Sequence, residues 1–137
     1  MVGSLLQRAL LAAAALSMQA FSVSVFASEQ DISAFGILKG QWVRPDGGYR
    51  LLIKQVDAEG RLEAAYINPN APNPLPFSRA EATRNGKVIT VFLELRAGGY
   101  NGSTYTLDYD AGQDVLKGIY YQAVAQQRYD IHFVRAR

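Results

Sequence analysis

From residue 40 onward, apolar and polar side chains alternate in short runs. Turn-forming residues break these runs every ~8–12 residues, which is the pattern of an all-β chain. The alternation predicts eight strands: residues 40–44, 49–56, 61–67, 77–84, 87–96, 103–109, 115–122 and 127–135. The links between them read PDGG, DAEG, NPNAPNPLP, NG, AGGYNG, DAGQD and AVAQ. Asn85-Gly86 is the strongest hairpin signal, with positive φ expected at both residues. Side-chain parity assigns the faces. Leu51 and Ile53 oppose Arg50 and Lys54, Val91 and Leu93 oppose Glu94, and Ile131 and Phe133 oppose Asp130 and His132. Strands with one apolar and one wet face need a curved sheet around a core. A meander of eight short-linked strands predicts an antiparallel up-and-down β-barrel, because closure removes both edges.

The chain begins differently. Residues 1–27 place Arg8 ahead of a long apolar run that ends Val25-Phe26-Ala27, the form of a signal peptide cleaved after Ala27. The expected organisation is a signal peptide at 1–27, an N-terminal arm at 28–37 and a barrel domain at 38–137. This predicts a periplasmic or secreted protein with no membrane span after cleavage. Without Arg8 the chain has 13 basic and 12 acidic side chains, scattered singly. That balance gives no footprint for nucleic acid. No cysteine is present, so neither a disulfide nor thiol chemistry is available.

Gly40-Gln41-Trp42 on the first strand and Arg135 near the end of the last resemble the G-x-W and closing basic residue of lipocalins and avidins, the calycin group. The resemblance implies that Arg135 packs across the Trp42 indole, where a cation is attracted to the ring face. Asp57, Gly60, Leu62, Ala64 and Tyr66 are similar to the D-x-x-G-x-L-x-A-x-Y hairpin of avidins. Trp42 and Arg135 are thus expected to be structural. Avidins hold biotin with several tryptophans, and this chain has only Trp42, so biotin is not the expected ligand. GQWV at 40–43 and the arm at 28–37 also resemble periplasmic inhibitors of secreted zinc metalloproteases, whose arm enters the protease cleft. Those inhibitors carry a disulfide that this chain cannot form.

Catalytic and metal chemistry find little support. The D-x-D-x-G pattern from Asp108 puts Ile119 where a calcium loop needs its bidentate acid. His132 is the only histidine and falls on the outer face. Glu81 and Glu94 are the only candidates on neighbouring strands for a catalytic carboxylate pair, and Glu94 faces out. The expectation is therefore a non-enzymatic protein without metal or cofactor. In a meander the first, third, fifth and seventh links share one end, so the two long links 68–76 and 97–102 meet there. Four of the five prolines fall within 69–76, which stiffens that rim. Barrel mouths are favoured ligand sites. The expected ligand-binding residues are Tyr49, Asn68, Asn70, Asn73, Phe77, Tyr100, Asn101, Ser103 and Gln122. They suit a small neutral molecule, a glycan or a peptide. The alternatives are inhibition of a secreted protease through the arm, or a structural envelope role without a small ligand.

Overall fold

The structure is a computed structural model and describes residues 34–137. The expected signal peptide and residues 28–33 of the arm lie outside the described residues. The chain forms one antiparallel sheet of nine strands: β1 Gly40–Val43, β2 Arg50–Val56, β3 Leu62–Ile67, β4 Leu75–Pro76, β5 Arg79–Asn85, β6 Val88–Leu95, β7 Ser103–Asp110, β8 Val115–Gln122 and β9 Gln127–Arg135. Their order is β4-β3-β2-β1-β9-β8-β7-β6-β5. The first and last long strands thus meet in mid-sheet, where Trp42 pairs with Arg135.

The expected closed barrel of eight strands is corrected to a nine-stranded sheet curled into a half-barrel. The ninth strand comes from the proline segment. Leu75 and Pro76 pair with Tyr66 and Ala65, so they occupy the edge of β3 that β5 would need for closure. Pro74 and Pro76 lack amide hydrogens, so β4 stays two residues long and passes no ladder on to β5. The two edges of the sheet touch at one place. Ala82 donates its amide to the Gly60 carbonyl at 2.6 Å, and Arg61 bridges Glu81. Gly60 has φ +88, and a Cβ there would collide with the Ala82 carbonyl.

Two further details depart from simple alternation. The hairpin between β5 and β6 turns on Gly86-Lys87, because Asn85 already pairs with Val88. Only Gly86 has positive φ, at 62°, the glycine-first arrangement of a two-residue hairpin. In β2 a bulge places Ile53 and Gln55 opposite consecutive residues Ala64 and Glu63. The extra residue, Lys54, shifts the parity, and Val56 turns toward the core.

The concave face holds the core. Trp42, Leu51, Tyr66, Val91, Leu93, Tyr105, Leu107, Leu116 and Phe133 are buried there. A short helical turn at 34–36 precedes β1, and Phe35 and Leu38 are buried with that core. The Trp42 indole nitrogen donates to the Leu38 carbonyl at 2.9 Å, which fixes the chain's entry at the end opposite the long links.

Candidate functional site

Three in-register strands build the mouth. Tyr105 on β7, Tyr120 on β8 and Tyr129 on β9 are direct cross-strand partners. Their rings stack in turn, with centroids 4.6 Å apart for Tyr105–Tyr120 and 6.2 Å for Tyr120–Tyr129. Cross-strand aromatic pairs of this kind stabilise a sheet directly. Facing them, Tyr66 at the end of β3 stacks on Tyr49 and meets Tyr100 edge to face at 5.3 Å. Between these groups lies a cavity of about 300 Å³, lined by Arg44, Tyr49, Tyr66, Tyr100, Tyr120, Gln122 and Tyr129. That volume is at the lower end of small-ligand sites.

Arg44 follows β1 directly and shares the inward parity of Trp42. Its guanidinium lies over Tyr49 at 5.2 Å and near Tyr120 at 5.9 Å. Asp46, in the first link, grips it from the solvent side, with Nε donating to Oδ1 at 3.1 Å and Nη2 donating to Oδ2 at 2.8 Å. The hydrogen bond from Arg44 holds the Asp46 carboxyl below its ordinary range, and the same bond pushes the Arg44 pKa up. Burial pushes the Tyr66 and Tyr105 phenols well above the usual tyrosine range, so both are neutral hydroxyls. The Tyr105 hydroxyl is buried beside Arg44 and Tyr66 and has no hydrogen-bond partner of good geometry among the described residues. A buried hydroxyl left so costs about 1–3 kcal/mol.

The expected site residues separate into three groups. Tyr49, Tyr100 and Gln122 line the cavity. Asn68, Ser103 and Phe77 support it. The Asn68 amide donates to the Tyr100 hydroxyl at 3.2 Å and ties the third link to the fifth. The Ser103 hydroxyl donates to the Tyr100 carbonyl at 2.7 Å and accepts from the Ala123 amide at 3.0 Å, so it is fully engaged within the protein. Phe77 packs edge-on against Tyr66. Asn70, Asn73 and Asn101 stand exposed on the rim, outside the cavity lining. Asn101 adopts φ 52°, the left-handed turn conformation that asparagine tolerates. Arg44, Tyr66, Tyr120 and Tyr129 complete the lining and were not among the expected ligand contacts. The three tyrosines share the inward parity of their strands, a pattern that core filling gives equally, and an inward arginine at the end of a strand is the signal for Arg44.

At the other end, the Arg135 guanidinium lies 4.2 Å from the Trp42 ring. It donates to the carbonyls of Lys39 and Ile37 at 2.9 and 2.7 Å, and to both oxygens of Asp114. Asp114 belongs to the link 110–114, where Asp110 accepts from the Gly112 and Gln113 amides and from Lys117. These acids are thus committed to a hairpin and an ion pair. Among the described residues, no group of three His, Cys, Asp or Glu side chains could hold a metal ion. Glu81 and Glu94 are each held by an arginine, Arg79 and Arg96, on the outer face.

A larger hollow of about 590 Å³ lies on the outer face of β8 and β9, lined by Val115, Lys117, Asp130, His132 and neighbours. It is a surface trough that runs along these two strands on the side away from the core. The mouth combines aromatic walls with a half-buried charge, and is the better candidate. No model of a known protein family matches the chain, and no curated protein matches it. The likeness to calycins therefore rests on the quoted residues alone.

Proposed function

We propose that this is an exported, non-enzymatic binding protein of calycin-like build, periplasmic or secreted, which takes a small ring-bearing ligand in the tyrosine-lined mouth. The observation that carries the reading is the cavity itself: five tyrosines, a glutamine and an arginine around about 300 Å³. Flat aromatic walls suit a sugar or another planar ring, and the phenol and amide groups supply orientation. The rim is held before any ligand arrives, because the Asn68–Tyr100 bond and the β4 pairing fix both long links. Such pre-organisation lowers the entropy lost on binding. For the alternative, inhibition of a secreted protease through the arm, residues 34–37 are described, and Phe35 among them is buried in the core.

The test is a thermal-shift screen of glycans and small ring compounds, followed by calorimetry on the wild type and Tyr100→Ala. Tyr100→Ala is expected to weaken binding about tenfold or more, the usual cost of removing a central aromatic contact. Asn101→Ala is expected to leave affinity within about threefold, as a rim residue outside the lining should. Unchanged affinity in Tyr100→Ala would count against the mouth as the site.

A further inference from the structure

We infer that the mouth's ligand is an acid: a six-membered ring bearing a carboxylate, which takes over the Arg44 guanidinium from Asp46. The inference rests on the reading of the mouth as a ligand site and adds the charge of what enters it. Among the described residues, Arg44 is the only charged residue lining the cavity. Its side chain is 12% exposed, whereas that of its partner Asp46 is 65% exposed. The cation is therefore held inside the mouth while its counter-ion sits outside, in solvent. A guanidinium presents a planar fork that matches a carboxylate, and Asp46 already occupies that fork with both oxygens.

Asp46 is replaceable where it stands. Asp46 is open to solvent, so water competes with the guanidinium for its carboxylate and weakens its hold. Asp46 also sits in the turn PDGG, next to Gly47 and Gly48 at φ 117° and 76°, so its hold on Arg44 comes from a glycine-rich link rather than from a strand. A ligand carboxylate entering from the cavity side would meet the same cation in a drier setting, where the attraction is stronger. The Tyr49 and Tyr120 rings beside the guanidinium would then flank the ligand's ring.

Two chemical sources share this carboxylate on a ring: sugar acids and aromatic acids. The experiment is an NMR titration of the full protein with glucuronate and with benzoate, each against its neutral counterpart, methyl glucoside and benzamide. The acids are expected to shift Arg44 and the mouth tyrosines at concentrations where the neutral compounds do not, and the stronger of the two acids identifies the source. Asp46→Asn, which keeps a turn-forming side chain, should tighten acid binding about threefold by removing the competitor. Arg44→Gln should weaken it roughly tenfold or more. Equal binding of acids and neutral compounds would overturn the inference and leave the mouth as a neutral site. So would an Asp46→Asn variant that binds acids no better than the wild type. Absence of shifts at the mouth with all four compounds would overturn the ligand-site reading together with it.

Discussion

The Arg135 guanidinium bonds two main-chain carbonyls, one carboxylate and an indole face. In a chain without cysteine, this cluster ties the entering segment to the last strand and to the sixth link. Arg135→Ala removes the stacked cation and leaves the Ile37 and Lys39 carbonyls without their donor, so a loss of about 2–3 kcal/mol is expected by chemical denaturation. Arg135→Lys keeps the charge but not the fork, and should lose roughly half as much. The same cluster makes stability depend on pH. The hydrogen bond from Arg135 holds the Asp114 carboxyl below its ordinary value. Its contribution is therefore complete above the unfolded carboxylate value of ~3.9 and is lost as pH falls through the lower folded value. Denaturation midpoints at pH 6 and pH 3 should differ more in the wild type than in Asp114→Asn. An equal drop in both proteins would show that Asp114 has no part in it. The parity that sets Arg135 on the face of Ile131 and Phe133 was legible in the sequence. Its second partner, Asp114, was not, because that contact spans 21 residues and depends on how the sixth link folds.

At the scale of the elements, alternation located the eight long strands, because one wet and one buried face leave a period-2 trace. It missed β4, since two residues carry no period and Leu75-Pro76 lies among prolines that usually end strands. It also predicted full closure where the edges meet only around Gly60 and Ala82, because how far a sheet curls leaves no mark on the alternation. Gly60 makes that meeting measurable. Gly60→Ala forces a Cβ into the Ala82 carbonyl at positive φ and breaks the bond between the edges. Gly86→Ala also sits at positive φ, but no atom lies within 4 Å of the added Cβ. The expected loss is about 1–2 kcal/mol for Gly86→Ala, the cost of the left-handed conformation alone. For Gly60→Ala it is larger by about 1–3 kcal/mol of added strain. Equal losses in urea denaturation would mean that the edges of the half-barrel do not depend on this contact.

Over the whole molecule, the two ends of the sheet do different work. One end is shut by Trp42, Leu38 and Arg135, and the other holds the tyrosine-lined cavity under the two long links. The sequence showed which end carried those links, through link lengths and the strict alternation of a meander. It did not show the cavity, because inward tyrosines that fill a core and inward tyrosines that wall a pocket have the same pattern. Space between side chains is a property of curvature and packing, and it appears only once the strands have their registers. The eight tyrosines of the chain provide a direct readout. In protein carrying ¹³C-labelled tyrosine, a ligand from the screen should shift the ring signals of Tyr49, Tyr66, Tyr100, Tyr120 and Tyr129. Tyr121, on the outer face, and Tyr109, packed against Trp42 at the shut end, should stay unmoved. Shifts centred on Tyr121 or Tyr109, with the five mouth tyrosines unmoved, would contradict the account.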